Sequence, residues 1–253
     1  MCGRYTITPT LSQLLAGLDL DAVQVPESSE PVVERFNVAP TQPVLAFTSG
    51  EDGPRAKVLR WGLIPYWSKD PKKEPLRINA RKESLTERPA FRELVEDARS
   101  RCLVPADGWY EWLKAEDPKQ PRKPMHFSLP DRTPFAFAGL RSTWTSPDGE
   151  RVGSCTIITG PANRVGSGIH DRMPVVLPGP AERAAWLDPS LDAAAVMPLL
   201  GPLADDLTRV QRASTRVNAA TYDAPDCLDA DDDEPEETQL TLANLTLTLE
   251  SSA

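Results

Sequence analysis

Short extended segments bounded by turn signals run through most of this sequence. Apolar, β-branched and aromatic residues between clusters of glycine, proline, asparagine and aspartate are typical of strands. Helical spacing of apolar residues is confined to a few stretches, at residues 9–20, 83–101, 180–187 and 192–200. The predicted strands cover residues 44–48, 56–59, 76–82, 102–112 with a turn at 107–108, 125–129, 135–140, 154–159, 175–177 and 207–214. The pattern therefore predicts a strand-rich chain with a few short helices.

Length and hydrophobic content favour one large domain. A chain of 253 residues, of which 40% are hydrophobic, can bury one substantial core. Ten carboxylates and no lysine or arginine lie between Asp223 and Glu250. We therefore predict one domain over residues 1–222 and an acidic tail over residues 223–253, whose composition is typical of disorder.

The formal net charge of −9 belongs mostly to this tail. Removing its ten carboxylates from the 37 acidic residues leaves 27, against 28 basic residues, so the body carries +1. Such a body does not repel DNA, and local arginine clusters decide whether it binds. The four cysteines lack metal-like spacing, and the sequence shows no signal peptide or membrane-length apolar run. We expect a cytoplasmic protein without a metal or cofactor and without a membrane partner.

The N-terminus carries the most unusual chemistry. Removal of Met1 would leave Cys2 with an amine and a thiol on adjacent carbons, each with an ordinary pKa of roughly 8 to 8.5. Such a pair can capture one aldehyde, because the amine forms an imine and the thiol closes on the imine carbon to give a thiazolidine. The alternative is that cysteine is merely a small second residue that permits Met1 removal.

Two stretches carry groups suited to single-stranded nucleic acid. Residues 61–67 hold Trp61 and Trp67, which would form either a stacking platform for unpaired bases or an aromatic plug of the core. Strand alternation over residues 76–82 would place Arg77, Asn79 and Arg81 on one face. That face is either a strip that follows phosphates or a salt-bridged solvent face.

Two further residues are candidates for proton transfer. Glu111 lies among aromatic and apolar neighbours, so partial desolvation is expected to raise its pKa, unless it sits on an exposed strand edge. His170 lies in a loop bounded by glycine and proline, where backbone is more often placed for function than for packing. His126 is expected to be structural.

Six motifs in this order resemble the SOS response-associated peptidase (SRAP) family of abasic-site processing proteins, over residues 1 to about 218. They begin at Met1, Phe36, Trp61, Asn79, Trp109 and Ile169, and read MCGRY, FNVAPTQ, WGLIP followed by Trp67, NAR, WYEW and IHDRMP. The resemblance implies an α+β fold. It would be a compact single domain with a barrel-like, bifurcated, mainly antiparallel sheet flanked by helices, and with one groove for single-stranded DNA.

The resemblance also implies roles for named residues. Cys2 would attach covalently to the ring-opened aldehyde of an abasic site, forming a thiazolidine that shields the lesion. Asn79 would orient the reacting groups, Glu111 would transfer protons, and His170 would assist sugar-ring opening. The implied DNA-facing residues are Arg4, Asn37, Pro40, Trp61, Trp67, Arg77, Arg81 and Thr159. The implied partner is single-stranded DNA containing abasic sites, bound by a monomer, with weak abasic-site lyase activity as a side reaction.

Two other functions compete with this interpretation. A cysteine peptidase would use Cys2 with His170 and either Glu111 or Asn79, and removal of Met1 by the protein itself would need only one turnover. A non-covalent reader of modified bases would need the tryptophan and arginine groups but not Cys2. A DNA adduct that survives denaturation separates the three.

Overall fold

The computed structural model describes residues 2–20, 23, 25, 32–51, 53–113 and 122–230. Strands dominate these ranges, as the sequence predicts. The described strands are β1 (Arg4–Ile7), β2 (Arg35–Val38), β3 (Pro43–Thr48), β4 (Arg55–Trp61), β5 (Asn79–Arg81), β6 (Arg101–Ala106), β7 (Gly108–Trp112), β8 (Pro124–Ser128), β9 (Phe135–Thr145), β10 (Arg151–Pro161), β11 (Arg172–Pro174), β12 (Val176–Leu177) and β13 (Arg209–Arg212).

The described helices are short. They are α1 (Leu11–Gly17), α2 (Arg92–Glu96), α3 (Arg164–Ser167), α4 (Pro180–Leu187) and α5 (Ala193–Val196), with several single turns of 3₁₀ helix. Helix α1 begins at a capping box, in which the Thr10 side chain accepts from the Gln13 amide and the Gln13 side chain accepts from the Thr10 amide. Residues 83–101, which the sequence predicts to be mostly helical with a break or irregular turn at Pro89, contain less α-helix than expected, since only α2 is α-helical. None of the helices in the described ranges is long and apolar enough to cross a membrane.

The sheets form a barrel with a second sheet attached. Strands β10, β4, β3, β6 and β9 pair in that order, and β9 pairs again with β10, which closes the ring. The ladders are antiparallel except that β10 pairs parallel with β4 and with β5. The second sheet has the order β13-β8-β7-β1-β2. This architecture confirms the expected α+β fold with a barrel-like, mainly antiparallel sheet.

The turn at Asp107 joins the two sheets. Strand β6 belongs to the barrel, and β7, which starts one residue after Asp107, belongs to the second sheet. Asp107 is 1% exposed, and its carboxylate accepts from the Thr8 amide (3.1 Å), the Thr8 hydroxyl (2.5 Å) and Arg132 Nη2 (2.5 Å). A buried carboxylate with three donors fixes the direction in which the chain leaves the barrel.

An aromatic cluster fills the space between the sheets. The Tyr5 ring packs edge-on against Trp61 and Phe137, with centroids 5.4 and 5.8 Å apart. The Trp109 ring stacks on Phe127 at 5.0 Å and meets Phe137 edge-on at 6.2 Å. Such pairs each add about 0.5–1.5 kcal/mol beyond the burial of their area. The cluster holds β1 against both the barrel and β7.

The folded chain extends past the predicted domain end at residue 222. The Asp223 carboxylate forms an ion pair with Arg35 and accepts from the amides of Phe36 (2.6 Å) and Asn37 (3.0 Å). The 3₁₀ helix Pro225–Leu228 then buries Cys227. These backbone donors anchor the first carboxylate of the predicted tail, and the domain boundary at residue 222 stays a prediction. Residues 231–253 of that tail lie outside the described residues.

Gly108 provides a test of this packing. A Cβ at Gly108 would lie 2.2 Å from His126 Nε2 and 2.6 Å from the Phe127 carbonyl oxygen. His126 cannot move away easily, because it is 1% exposed and its Nε2 is 3.1 Å from Thr6 Oγ1. We predict that Gly108→Ala lowers the free energy of unfolding in urea by about 2–4 kcal/mol, through overpacking and disruption of this hydrogen bond.

The matched control is Gly201→Ala, where an added Cβ meets nothing within 4 Å. It should leave the unfolding free energy nearly unchanged. Equal stability of the two variants would contradict the packing described for Gly108.

Candidate functional site

The first strand brings Cys2 beside Glu111. Strands β1 and β7 are antiparallel, with Arg4 opposite Tyr110, Tyr5 opposite Trp109 and Thr6 opposite Gly108. This ladder ends at Arg4, and Cys2 lies just beyond it, close enough to Glu111 for the negative charge of that carboxylate to raise the pKa of the Cys2 thiol. Cys2 is fully buried, and its Sγ lies 3.9 Å from the Arg4 carbonyl oxygen. Met1 lies outside the described residues.

Glu111 is a buried carboxyl group suited to proton transfer. It is 2% exposed and follows Trp109 on the face of β7 that points into the main core. Burial, to which the negative charge of Asp171 adds, raises the pKa of Glu111 from 4.5 to about 7. Both protonation states are therefore populated near neutral pH, which is the condition for an effective general acid and base. The direction of the pKa shift agrees with the sequence-based expectation.

The Cys2 thiol is neutral in this setting. Its pKa is raised well above the ordinary value, first by burial and then by the negative charge of Glu111. A raised thiol pKa is the opposite of what activates a cysteine as a free thiolate nucleophile. Because the charge of Glu111 contributes to the raised pKa of Cys2, the two side chains lie within electrostatic range of each other.

Asn79 lies at the start of β5, on the opposite wall. Strand β5 pairs with β10, with Asn79 opposite Ile157 and Arg81 opposite Thr159. The Asn79 amide group donates to the Ile78 carbonyl oxygen at 3.0 Å. Its Oδ1 is buried and accepts no hydrogen bond within the described ranges. This oxygen can accept from an incoming amine or hydroxyl.

Trp61 forms the spacer between these two walls. Its ring contacts Tyr5, and its Nε1 donates to the Ile78 carbonyl oxygen at 3.0 Å. Trp61 is fully buried, as the alternative of an aromatic core plug expects, and stacking of this residue on DNA bases stays a prediction. Its contacts fix the position of Asn79 relative to β1.

His170 lies in the loop that precedes β11, and β11 and β5 pair with opposite edges of β10. Strand β11 pairs with β10 at Thr159, the same residue that faces Arg81 from the other side. His170 Nδ1 accepts from the Arg172 amide at 3.0 Å, which leaves Nε2 as the protonated nitrogen of the neutral ring. The Asp171 carboxylate also lies 3.0 Å from Nδ1, where it cannot donate a hydrogen bond. Because Asp171 is 87% exposed, its contact with the ring is weak, and the hydrogen bond from the Arg172 amide decides the tautomer.

Thr159 and Asn37, both predicted to face DNA, are buried. The carbonyl oxygen of Thr159 accepts from Arg172 Nη2 at 2.7 Å, which links the His170 loop to β10. The Asn37 side chain donates to the carbonyl oxygens of Val217, Ala219 and Tyr222. These polar groups therefore satisfy the backbone of neighbouring segments, and DNA contact by either residue stays a prediction. Pro40 is half-buried in the turn before β3, and its DNA contact stays a prediction.

A groove of about 660 Å³ runs along β5. Trp67 is 48% exposed on its wall, and Arg81 is exposed with no ion-pair partner among the described residues. Arg77 lies in the same groove, but its Nη1 donates to Glu74 at 2.8 Å, so its charge is already compensated. The structure thus brings together Trp67, Arg77, Asn79 and Arg81, as predicted from the sequence.

Three groove residues escaped the sequence analysis. Leu76 is 53% exposed, although alternation placed it opposite the arginine face, because the paired strand begins only at Asn79. Arg88 and Phe91 also line the groove. They flank Pro89, where the predicted helix breaks. That break was the only sequence feature that could have indicated that these residues line a groove.

Arg4 adds a cation near Cys2. Its guanidinium lies over the Trp112 ring, 5.9 Å from the centroid, and burial lowers its pKa. Its Nε is buried and has no hydrogen-bond partner within the described part of the chain. Arg4 is therefore placed to bind an anionic group, to which its Nε could donate a hydrogen bond. Across the described ranges, no group of three or more histidine, cysteine, aspartate or glutamate side chains is arranged to hold a metal ion.

Comparison with known proteins agrees with these observations. A family model described as SOS response associated peptidase (SRAP) matches residues 1–220. The abasic site processing protein YoqW of Bacillus subtilis is 37% identical over 231 residues, which cover 91% of this chain and all of that protein. YedK of Escherichia coli, with the same description, is 35% identical over 188 residues, covering 74% of this chain and 79% of its own length.

More distant matches extend the comparison. The abasic site processing protein HMCES of Xenopus tropicalis is 31% identical over 194 residues, which cover 68% of this chain and 56% of that protein. A crystal structure of a protein from Bacteroides thetaiotaomicron superimposes with a TM-score of 0.77, covers 91% of this chain and 100% of its own, and is 24% identical. That structure supports the fold alone. From the match over residues 1–220 and the identities of the curated relatives, the chain belongs to the SOS response-associated peptidase (SRAP) family.

Proposed function

We propose that this protein binds single-stranded DNA at abasic sites and becomes covalently attached to them through Cys2, once Met1 is removed. The relatives that carry the description "abasic site processing protein" supply the substrate class. The observation that carries the chemistry is the buried pair of Cys2 and Glu111, in which the carboxyl group has a pKa of about 7. The attached protein would shield the lesion in the DNA damage response.

The proposed reaction needs one proton carrier beside two nucleophilic atoms. An abasic sugar is mostly a closed hemiacetal, so Glu111 first assists opening to the aldehyde. The Cys2 amine then adds to the carbonyl carbon, and loss of one water gives the imine. The thiol adds to the imine carbon, its proton passes through Glu111 to the nitrogen, and a thiazolidine results.

The surrounding residues orient the reactants. The Asn79 Oδ1 would accept from the Cys2 amine or the opened sugar, and the protonated Nε2 of His170 would donate to the sugar oxygen. Arg81 and Arg4 would hold adjoining phosphates, while Trp67 stacks beside the missing base. Because an imine acidifies the neighbouring carbon, slow strand cleavage by β-elimination is the expected side reaction.

A lasting cysteine peptidase is less well supported. Such an enzyme needs a thiolate, whereas burial and Glu111 raise the pKa of Cys2. Thiazolidine closure does not need a preformed thiolate, because the amine attacks first and the thiol meets an activated imine carbon. Removal of Met1 by the protein itself, a single turnover, is the peptidase step that fits this site.

Substitution of Cys2 tests the roles of its two nucleophilic atoms. Cys2→Ala keeps the amine but lacks the thiol, so it should form no adduct with abasic single-stranded DNA that survives denaturing electrophoresis without reductant. Cys2→Ser should give an adduct that appears only when borohydride traps the imine. Noncovalent binding to intact single strands should be nearly unchanged in both variants. A stable adduct from Cys2→Ala without reductant would contradict the thiazolidine.

The raised pKa of Glu111 has a cost in stability. Folding raises the pKa of this carboxyl group from 4.5 in the unfolded chain to about 7. Its protonated form therefore favours the folded state fully below pH 4.5, and this stabilisation is lost as pH rises through 7 and the buried group ionises. The difference corresponds to about 3 kcal/mol. We predict that Glu111→Gln is more stable than the parent by about 1–3 kcal/mol at pH 8, with the gain vanishing near pH 5.

Urea unfolding at both pH values measures this difference. The control is Glu87→Gln, since Glu87 is exposed and should show no such pH dependence. The Glu111→Gln variant should also attach to abasic DNA more slowly. A stability gain that is the same at pH 5 and pH 8 would show that Glu111 is not the titrating group.

Arg81 provides the test of the groove. Arg81→Ala should weaken binding to all single strands alike and reduce the slope of log K against log salt by about 0.7 for each phosphate that Arg81 neutralises. Arg77→Ala should change the slope less, because Glu74 already neutralises Arg77. Fluorescence anisotropy with intact single strands measures both. An unchanged slope for Arg81→Ala would show that it does not touch phosphate.

A further inference from the structure

Four cations share one end of the barrel, away from the groove. On β9 and β10 the register pairs Arg151 with Thr145 and Cys155 with Arg141, so these side chains lie on one face. The parallel pairing of Cys155 with Trp61 puts the odd-numbered residues of β4 on that same face. Trp61 and Cys155, which lie on this face, are fully buried. The cationic rim formed at its end consists of Arg55, Lys57, Arg141 and Arg151.

Three members of the cationic rim lack compensating charge. No described carboxylate oxygen lies within 4.0 Å of a nitrogen of Lys57, Arg141 or Arg151. The Arg141 Nε is buried and has no hydrogen-bond partner within the described residues. Burial lowers the pKa of Lys57, and the positive charges of Arg141, Arg151 and Arg55 lower it further. Like charges held together in this way repel one another, and an anion bound among them would relieve that repulsion.

The rim is separated from the groove by most of the length of β10. Arg151 begins this strand, and Thr159, which faces Arg81, lies eight residues further on. At the rise of a strand this separation is about 26 Å. It corresponds to about eight base pairs of duplex DNA. At a spacing of about 3.4 Å per nucleotide, a strand of about 6 nucleotides held at Arg81 spans about 20 Å along β10 and stops short of Arg151, whereas a longer DNA can contact both.

We propose that the cationic rim is a second binding surface for the phosphate backbone of the DNA whose abasic site lies in the groove. This inference rests on the proposed function and deepens it, since it assigns the contacts made by DNA flanking the lesion. Phosphate contacts of this kind add affinity and register without sequence preference. The flanking DNA is either a continued single strand or an adjoining duplex, which present the same phosphodiester chemistry.

The test compares DNA lengths on the full-length protein. The double variant Lys57→Ala/Arg151→Ala and the parent are titrated with an intact single strand of about 6 nucleotides, with one of about 30, and with the short strand joined to a duplex of about 12 base pairs. The control variant Arg99→Ala/Arg209→Ala removes two exposed arginines from other elements. Anisotropy is measured over a range of salt concentrations.

The rim variant should bind the short strand as the parent does. It should bind at least one of the longer DNAs about 5- to 10-fold more weakly at low salt, with a salt slope reduced by about 1.4 to 1.8, because two phosphates are no longer neutralised. Whichever of the two longer DNAs binds the rim variant more weakly shows whether the DNA flanking the lesion is single-stranded or duplex. Equal effects of rim and control variants on the long DNAs, or equal weakening on the short strand, would overturn the proposal.

Covalent attachment to a short abasic strand separates this proposal from the function on which it rests. Attachment should proceed at the parental rate in the rim variant. If the parent itself fails to attach, the proposed function fails. The binding comparison is made on intact DNA, so it still decides whether the cationic rim binds phosphate.

Discussion

The antiparallel ladder between β1 and β7 is the interaction on which the rest of the structure depends. It runs through Arg4, Tyr5 and Thr6, and Cys2, just before it, is buried in the main core. The Asp107 turn, the Tyr5 aromatic contacts and the Thr6–His126 hydrogen bond all hold this one ladder. A terminus that would fray in most domains is thereby fixed beside a buried carboxyl group.

This arrangement sets stability against chemistry. Burial of the Glu111 carboxyl group and the Cys2 thiol disfavours their charged forms, and burial also lowers the pKa of Arg4. An apolar residue at position 111 would pack at less cost, but it could not carry protons at neutral pH. The aromatic cluster and the donors around Asp107 offset this cost by holding the framework rigid. Perturbed groups concentrated at one point of a well-packed core are typical of functional sites.

The sequence predicted the strands and the chemistry better than it predicted burial. Alternation over 102–112 correctly separated Glu111 and Trp109 from Tyr110, because both faces of β7 are covered by different clusters. Residue type alone could not tell that Trp61 is buried and Trp67 exposed, since a tryptophan suits a core as well as a stacking surface. Only the closed barrel decides that Trp61 is buried. The burial of Asn37 was not predicted, because its partners, the carbonyls of residues 217–222, lie far away in sequence. The cationic rim was also not predicted, because its residues come from three strands that are distant in sequence.

The central claim, that the N-terminal amine and thiol of Cys2 both bond to one abasic-site carbon, is tested most directly by the intact mass of the product. After incubation with an abasic single strand and no reductant, the product should have the mass of the protein without Met1 plus the DNA, minus one water. The adduct should leave Cys102, Cys155 and Cys227 open to alkylation after unfolding and Cys2 blocked. An adduct that retains Met1, or in which the Cys2 thiol still reacts, would contradict the account.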